Sequence, residues 1–146
     1  MIFPPPDTAE RERVCHRVGT IFSCTPEVAL AYVHGSFIQG REFRDIDVAV
    51  LLKRESCQEN TLRLASRLAL QLEREPSLRR YPFDVCILDK ASIAFRYAVI
   101  KHGVCVFAVT PLERIRFETA VLRAYLDYQD TLEWFNRQFL KDLTQW

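Results

Sequence analysis

Asp45 and Asp47 stand two residues apart at the mouth of an apolar run, in RDIDVAVLL, and Asp84 opens a second such run in PFDVCILD. A carboxylate beside a core calls for a positive partner, because desolvating an unpaired charge costs several kcal/mol or forces the group to neutralise. At the start of a strand the two-residue repeat puts Asp45 and Asp47 on the same side. There they repel each other unless a cation lies between them. Oxygen-only ligands of this kind suit Mg2+, which takes one or two carboxylates together with substrate phosphates and waters. Two-metal phosphoryl or nucleotidyl transfer needs a third carboxylate, and Asp84 supplies it if its strand neighbours that of the pair.

The phosphates have their own candidate site upstream, in YVHGSFIQG. Gly35 and Ser36 fall where a strand ends and about one helical turn begins, so free backbone N–H groups point outward at a place suited to an anion. Gly35 lets the chain approach a phosphate closely, the Ser36 hydroxyl can donate a further hydrogen bond, and Gly40 is free to take a positive φ where the turn stops. Together these parts describe a metal-nucleotide site. One ion would hold a triphosphate and a second would lower the barrier for a hydroxyl attacking the α-phosphorus. Asp84 would be the carboxylate nearest that hydroxyl, as metal ligand and as proton acceptor.

The elements that must position these residues alternate between helix and strand. TAERERVCHRVGTIF reads as a first helix, started by Asp7 or Thr8 and stopped near Gly19. EVALAYVHG is a short buried strand, and DIDVAVLL a second strand apolar on both faces, as in the middle of a covered sheet. Polar KRESCQEN opens a helix in which Leu62, Ala65, Leu68, Ala69 and Leu72 form the apolar stripe while Arg63, Arg67, Gln71 and Arg74 face away. FDVCILD is the third strand, with Asp89 expected to cap the helix ASIAFRYAVIKHG that ends at Gly103. VCVFAVT is a fourth strand, and from Pro111 helical spacing runs for about 30 residues behind a Thr110 cap. The fold class that follows is α/β (α+β): a mixed sheet of about four strands flanked by helices, with a long C-terminal helix. With 146 residues and neither repeat nor linker, residues 1–146 are expected to form a single domain.

Composition narrows the classes. Hydrophobic content of 49% with 27% charged residues is ordinary for a soluble globular protein. A formal charge of +1 argues against a broad DNA-binding surface, so no direct DNA contact is expected. The five cysteines, Cys15, Cys24, Cys57, Cys86 and Cys105, have no C-x-x-C spacing and fit a reducing interior. Cys86, inside a strand, reads as a small buried apolar residue. MIFPPPDTAERERV lacks the apolar stretch of a signal peptide, and no uncharged run reaches the ~18 residues of a membrane helix, so a cytoplasmic protein away from membranes is expected.

G-S-x-x-x-G, then D-x-D on a strand and a further Asp on the next strand, resembles the DNA polymerase beta-type nucleotidyltransferase superfamily. Within it the pattern is most similar to the minimal nucleotidyltransferases, small prokaryotic proteins encoded beside HEPN-domain toxins. FDVCILDKAS, the AVIKHGVCVF segment and the RFETAVLRAYLDYQ helix carry the resemblance through most of the chain. It implies a nucleotidyltransferase fold, phosphate binding by Gly35 and Ser36, Mg2+ held by Asp45, Asp47 and Asp84, and ATP as the donor of AMP. It also implies an acceptor, a tyrosine hydroxyl on a partner HEPN ribonuclease whose toxicity adenylylation blocks. The chain would then be an antitoxin, assembling with itself or with the toxin.

Two departures from the family pattern stand out. Only REFR separates Gly40 from the D-x-D, where many members have five or six residues, and Arg44 replaces the usual Ser. Arg41 and Arg44 are candidate phosphate contacts or plain surface residues. Among Arg96, Tyr97, Lys101 and His102, on a helix that could present a cation to a triphosphate, Lys101 is the choice. His34 either fills the strand end or touches nucleotide. Phe117, Tyr125, Tyr128, Trp134 and Phe135 read as core or partner surface rather than a base-stacking platform. Two other functions fit the same residues: a small-molecule nucleotidyltransferase of the aminoglycoside-modifying kind, for which the chain is short, and an antitoxin that neutralises by contact alone.

Overall fold

The computed structural model describes residues 1–56 and 60–144. Cys57 and the rest of the stretch 57–59, part of the polar lead into the third helix, lie outside the described residues.

Four strands form one sheet in the order β3-β2-β1-β4, with β1 Val28–His34, β2 Ile46–Leu52, β3 Phe83–Ile87 and β4 Val104–Ala108. The sheet is mixed: β1 runs antiparallel to both β2 and β4, whereas β2 and β3 are parallel. β1 and β2 are central, and six of the seven residues of β1 are buried, as expected of strands covered on both faces. Alternation assigns their side chains. Ala31, Val33, Val48 and Val50 join a core with Val14, Val18 and Phe22 of α1 (Thr8–Ser23) and with Leu64, Leu68 and Leu72 of α3 (Thr61–Arg74). Leu30, Tyr32 and Ala49 point the other way, toward Val99 and Phe95 of α4 (Ile93–His102) and Phe117 of α5 (Pro111–Thr144). The short α2 (Gly35–Ile38) follows β1 directly.

Capping chemistry sets the helix starts. The Asp7 carboxylate accepts from the Glu10 N–H at 2.7 Å, the Asn60 side chain from Leu62 and Arg63 N–H, and the Thr110 hydroxyl from Glu113 N–H at 3.2 Å. The cap of α4 is Ser92, which accepts from Phe95 N–H at 3.1 Å. Asp89 does not cap it: Asp89 sits in a 3-10 turn, Leu88–Lys90, and its Oδ1 accepts from Leu52 N–H at 3.0 Å, tying that turn to the end of β2.

Two further sequence expectations change. Gly19 does not stop α1, which continues to Ser23. A Cβ at Gly19 would lie 2.2 Å from the Val106 carbonyl oxygen, so this glycine exists for close packing of α1 on β4. On α3 the buried stripe is Leu64, Leu68 and Leu72, and Leu62 is 77% exposed, because the helix docks on the sheet through its Leu64 side and leaves Leu62 facing solvent.

α5 spans 34 residues, about 50 Å at 1.5 Å per residue. Its first half is anchored. The Tyr32 hydroxyl donates to Glu118 Oε1 at 2.9 Å, Val121 is buried, and Tyr125 stacks on Tyr97 of α4 with ring centroids 3.7 Å apart. Beyond that, Tyr128, Leu132, Trp134, Phe135 and Phe139 are exposed. Among the described residues no helix is long and apolar enough to cross a membrane.

Candidate functional site

The parallel pairing of β2 and β3 sets Asp47 directly opposite Asp84. Asp45, one residue ahead of β2, completes the group, and a carboxylate oxygen from each of the three lies within 4.8 Å of the others. Asp45 and Asp47 are half-buried and Asp84 is exposed. Burial and the charges of Asp45 and Asp84 push the Asp47 carboxyl up to about 6 from an ordinary 3.8. A donor set of three convergent carboxylates that repel one another fits a hard divalent cation with room for further oxygen ligands.

The Gly-Ser turn meets this group from β1. Gly35 has φ +80°, and a Cβ there would lie 2.2 Å from Asp47 Oδ2. Glycine is therefore required twice over, by backbone conformation and by the Asp47 carboxylate beside it. Gly35, Ser36 and Phe37 open α2, so their N–H groups have no intrahelical carbonyl partner. Gly40, at φ +71°, ends the turn, and Arg11 of α1 donates to the Ile38 carbonyl there at 3.5 Å.

The remaining candidates spread around this centre. Arg44 is exposed next to Asp45, and Arg41 is exposed and donates to the Gln39 side chain. Lys101 is exposed near the end of α4, with its Nζ 5.7 Å from the Tyr97 ring centroid. Gly103, two residues on, would place a Cβ 3.3 Å from His34 Cβ, so α4 ends at the same end of the sheet as the aspartates. Arg96 is used structurally, donating at 2.7 Å to the carbonyls of both Leu88 and Asp89.

His34 pairs with Asp47 across β1 and β2 and meets Phe95 edge-on at 5.7 Å. Among the described residues its Nε2 is buried without a hydrogen-bond partner. Burial lowers its pKa, opposed by the nearby Asp84 charge.

Sequence reasoning does not reach the buried aromatic cluster whose members neighbour the site residues in the chain. Phe37 follows Ser36, Phe43 precedes Asp45 by two residues and Tyr81 precedes Asp84 by three; all are buried and in mutual ring contact. The available signal is an aromatic residue just beside each site element.

A strand-turn-helix with a Gly-Ser turn, facing three aspartates from two parallel strands, is the arrangement of a nucleotidyltransferase. Residues 17–110 match the family model "Polymerase beta, Nucleotidyltransferase", and the chain belongs to that family.

Solved structures resemble it along most of its length. A chain from the crystal structure of a toxin-antitoxin with AMP-PNP is 22% identical over 88% of this chain and 98% of its own, with a TM-score of 0.64. A chain of the MntA-HepT toxin-antitoxin is 18% identical, with 88% and 98% covered and a TM-score of 0.63. One from a tri-AMPylated Shewanella oneidensis HEPN toxin in complex with MNT antitoxin is 19% identical, with 89% and 98% covered and a TM-score of 0.59. At these identities the likeness is one of fold. No curated protein matches the chain in sequence.

Proposed function

We propose that this nucleotidyltransferase is an antitoxin of the minimal nucleotidyltransferase type, moving AMP from ATP onto a tyrosine hydroxyl of a partner HEPN ribonuclease toxin. The convergence of Asp45, Asp47 and Asp84 within 4.8 Å carries the reading. Support for the nucleotide and the acceptor comes from the folds it resembles: one is a toxin-antitoxin with AMP-PNP and another includes a tri-AMPylated HEPN toxin. Exposed Tyr128, Trp134 and Phe135 on α5 suit a protein partner more than water.

Asp45, Asp47 and Asp84 would hold Mg2+, as two ions, which when bound supply charge neutralisation at the phosphates and activation of the attacking oxygen. The residues of the chain do the rest. Gly35 and Ser36 orient the triphosphate through backbone N–H groups and the Ser36 hydroxyl, with Gly40 closing the turn. Arg44 and Lys101 add positive charge at the rim. The tyrosine oxygen bonds to the α-phosphorus as the bond from that phosphorus to the bridging oxygen of pyrophosphate breaks, and pyrophosphate leaves with the electron pair. Asp84, the exposed member of the three, faces the acceptor and takes the hydroxyl proton.

The test is the intact mass of a co-expressed HEPN partner, with the unaltered chain and with Asp45→Asn/Asp47→Asn. Mass gains in whole AMP units seen only with the unaltered chain are the expected result. Full neutralisation of the toxin by the double variant, at unchanged toxin mass, would mean that contact alone suffices and would overturn the chemistry.

A further inference from the structure

We propose that Phe3 is a positioning residue for the aspartates: the segment 1–6 straps the loop that carries Asp45 onto the body of the fold and so fixes the spacing of the three carboxylates. The inference rests on the reading of those carboxylates as divalent-cation ligands.

The loop between Gly40 and Asp45 is exposed at Arg41, Glu42 and Arg44, and its one buried side chain is Phe43. Both backbone groups of Phe43 pair with Phe3. Phe3 N–H donates to the Phe43 carbonyl at 2.8 Å, and Phe43 N–H donates back to the Phe3 carbonyl at 3.3 Å. The two rings stack, with centroids 5.0 Å apart and planes 15° apart. Phe37 meets Phe43 edge-on at 5.0 Å, and the Tyr81 ring lies 5.7 Å from Phe3 and 6.0 Å from Phe43.

Each of three rings thus neighbours one part of the site in the chain. Phe37 is the residue after Ser36 in the Gly-Ser turn, Phe43 stands two residues before Asp45 and Tyr81 three before Asp84. Phe3 belongs to none of these parts and joins two of them from outside. Tyr81 is in turn fixed from α1, donating to Glu10 and accepting from Arg13 at 3.5 Å. Pro4, Pro5 and Pro6 stiffen the strap by fixing φ, which holds Phe3 at a set reach from Asp7, the cap of α1. Three like charges in one place push their backbones apart, and a stacked, doubly hydrogen-bonded strap resists that push.

Mn2+ binding to the full chain, followed by the electron paramagnetic resonance of free Mn2+, reads the carboxylate geometry without any acceptor. Phe3→Ala should weaken Mn2+ binding about tenfold, the scale on which loss of outer support weakens a metal site. Phe3→Leu, which keeps the backbone pairing and most of the apolar fill, should weaken it measurably but less than Phe3→Ala does. Val121→Ala, a buried truncation on the α5 side, lowers the melting temperature and leaves Mn2+ binding as in the unaltered chain.

If both Phe3 variants melt lower yet bind Mn2+ like the unaltered chain, the strap is only structural and the inference fails with the site intact. It fails too if Val121→Ala weakens binding as much as Phe3→Ala. Should Phe3→Ala not fold, Phe3→Leu decides. No Mn2+ binding by the unaltered chain removes the site reading itself, and the inference with it.

Discussion

Replacing Asp47 by Asn should make the metal-free protein more stable at neutral pH. The Asp47 carboxyl is pushed from 3.8 to about 6 by burial and by the Asp45 and Asp84 charges. The folded chain therefore holds this proton more tightly than the unfolded chain does, and stability falls as pH rises from about 4 to 6. Above pH 7 the loss is complete. Ionising a carboxyl held this far above its ordinary value costs the fold about 3 kcal/mol. Asp47 is only half-buried, and screening by water reduces this to on the order of 1.5 kcal/mol. Asn removes the charge, and for a chain of this size the gain is roughly 5 °C in melting temperature. Calorimetry in EDTA at pH 7.5 measures it. Repeating the scan near pH 4.5 should shrink the difference, because the native carboxyl is then mostly protonated. On the proposed function, saturating Mg2+ with ATP should reverse the order, because a carboxylate that holds the ion is stabilised by mass action and an amide in its place is not. An Asp47→Asn variant that melts at or below the unaltered chain in EDTA at pH 7.5 would refute the electrostatic account of the site.

Gly35→Ala should cost at least about 2 kcal/mol, since it combines strain at positive φ with a Cβ driven into the Asp47 carboxylate; the melting temperature and Mn2+ affinity should fall together. Leu64→Ala should destabilise by roughly 2 to 5 kcal/mol and Leu62→Ala by less than about 0.5 kcal/mol. Denaturant melts of the two variants separate the buried stripe of α3 from its neighbour.

Much of the fold and site is legible in the residues because the deciding forces are local or periodic. DIDVAVLL is apolar on both faces, so it has to be an interior strand, and an aspartate opening the next strand can meet Asp45 and Asp47 only if the strands are neighbours. They are, in parallel. The order of the strands is not legible, because several orders bury these runs equally well.

Three departures from expectation share one cause. Gly19 reads as a helix end because local propensity speaks of helix ends and not of a β4 carbonyl lying against the helix. Asp89 reads as a cap because nothing in its neighbourhood announces the Leu52 N–H across the sheet. Leu62 and Leu64 both belong to plausible apolar stripes, and only the docking angle of α3 chooses between them. The contact between Phe3 and Phe43 joins distant parts of the chain with no periodicity to reveal it.

The register of β3 against β2 is enforced by its apolar side chains against the repulsion of the acidic group. Were β3 to slip by one residue, Phe83 or Val85 would stand opposite Asp47, and Phe83, Val85 and Ile87, now all buried, would turn toward water. The hydrophobic penalty for that error is much larger than any electrostatic relief from parting the carboxylates, so a crowd of negative charge that would never assemble for its own sake is held together by the greasy side chains alternating with it.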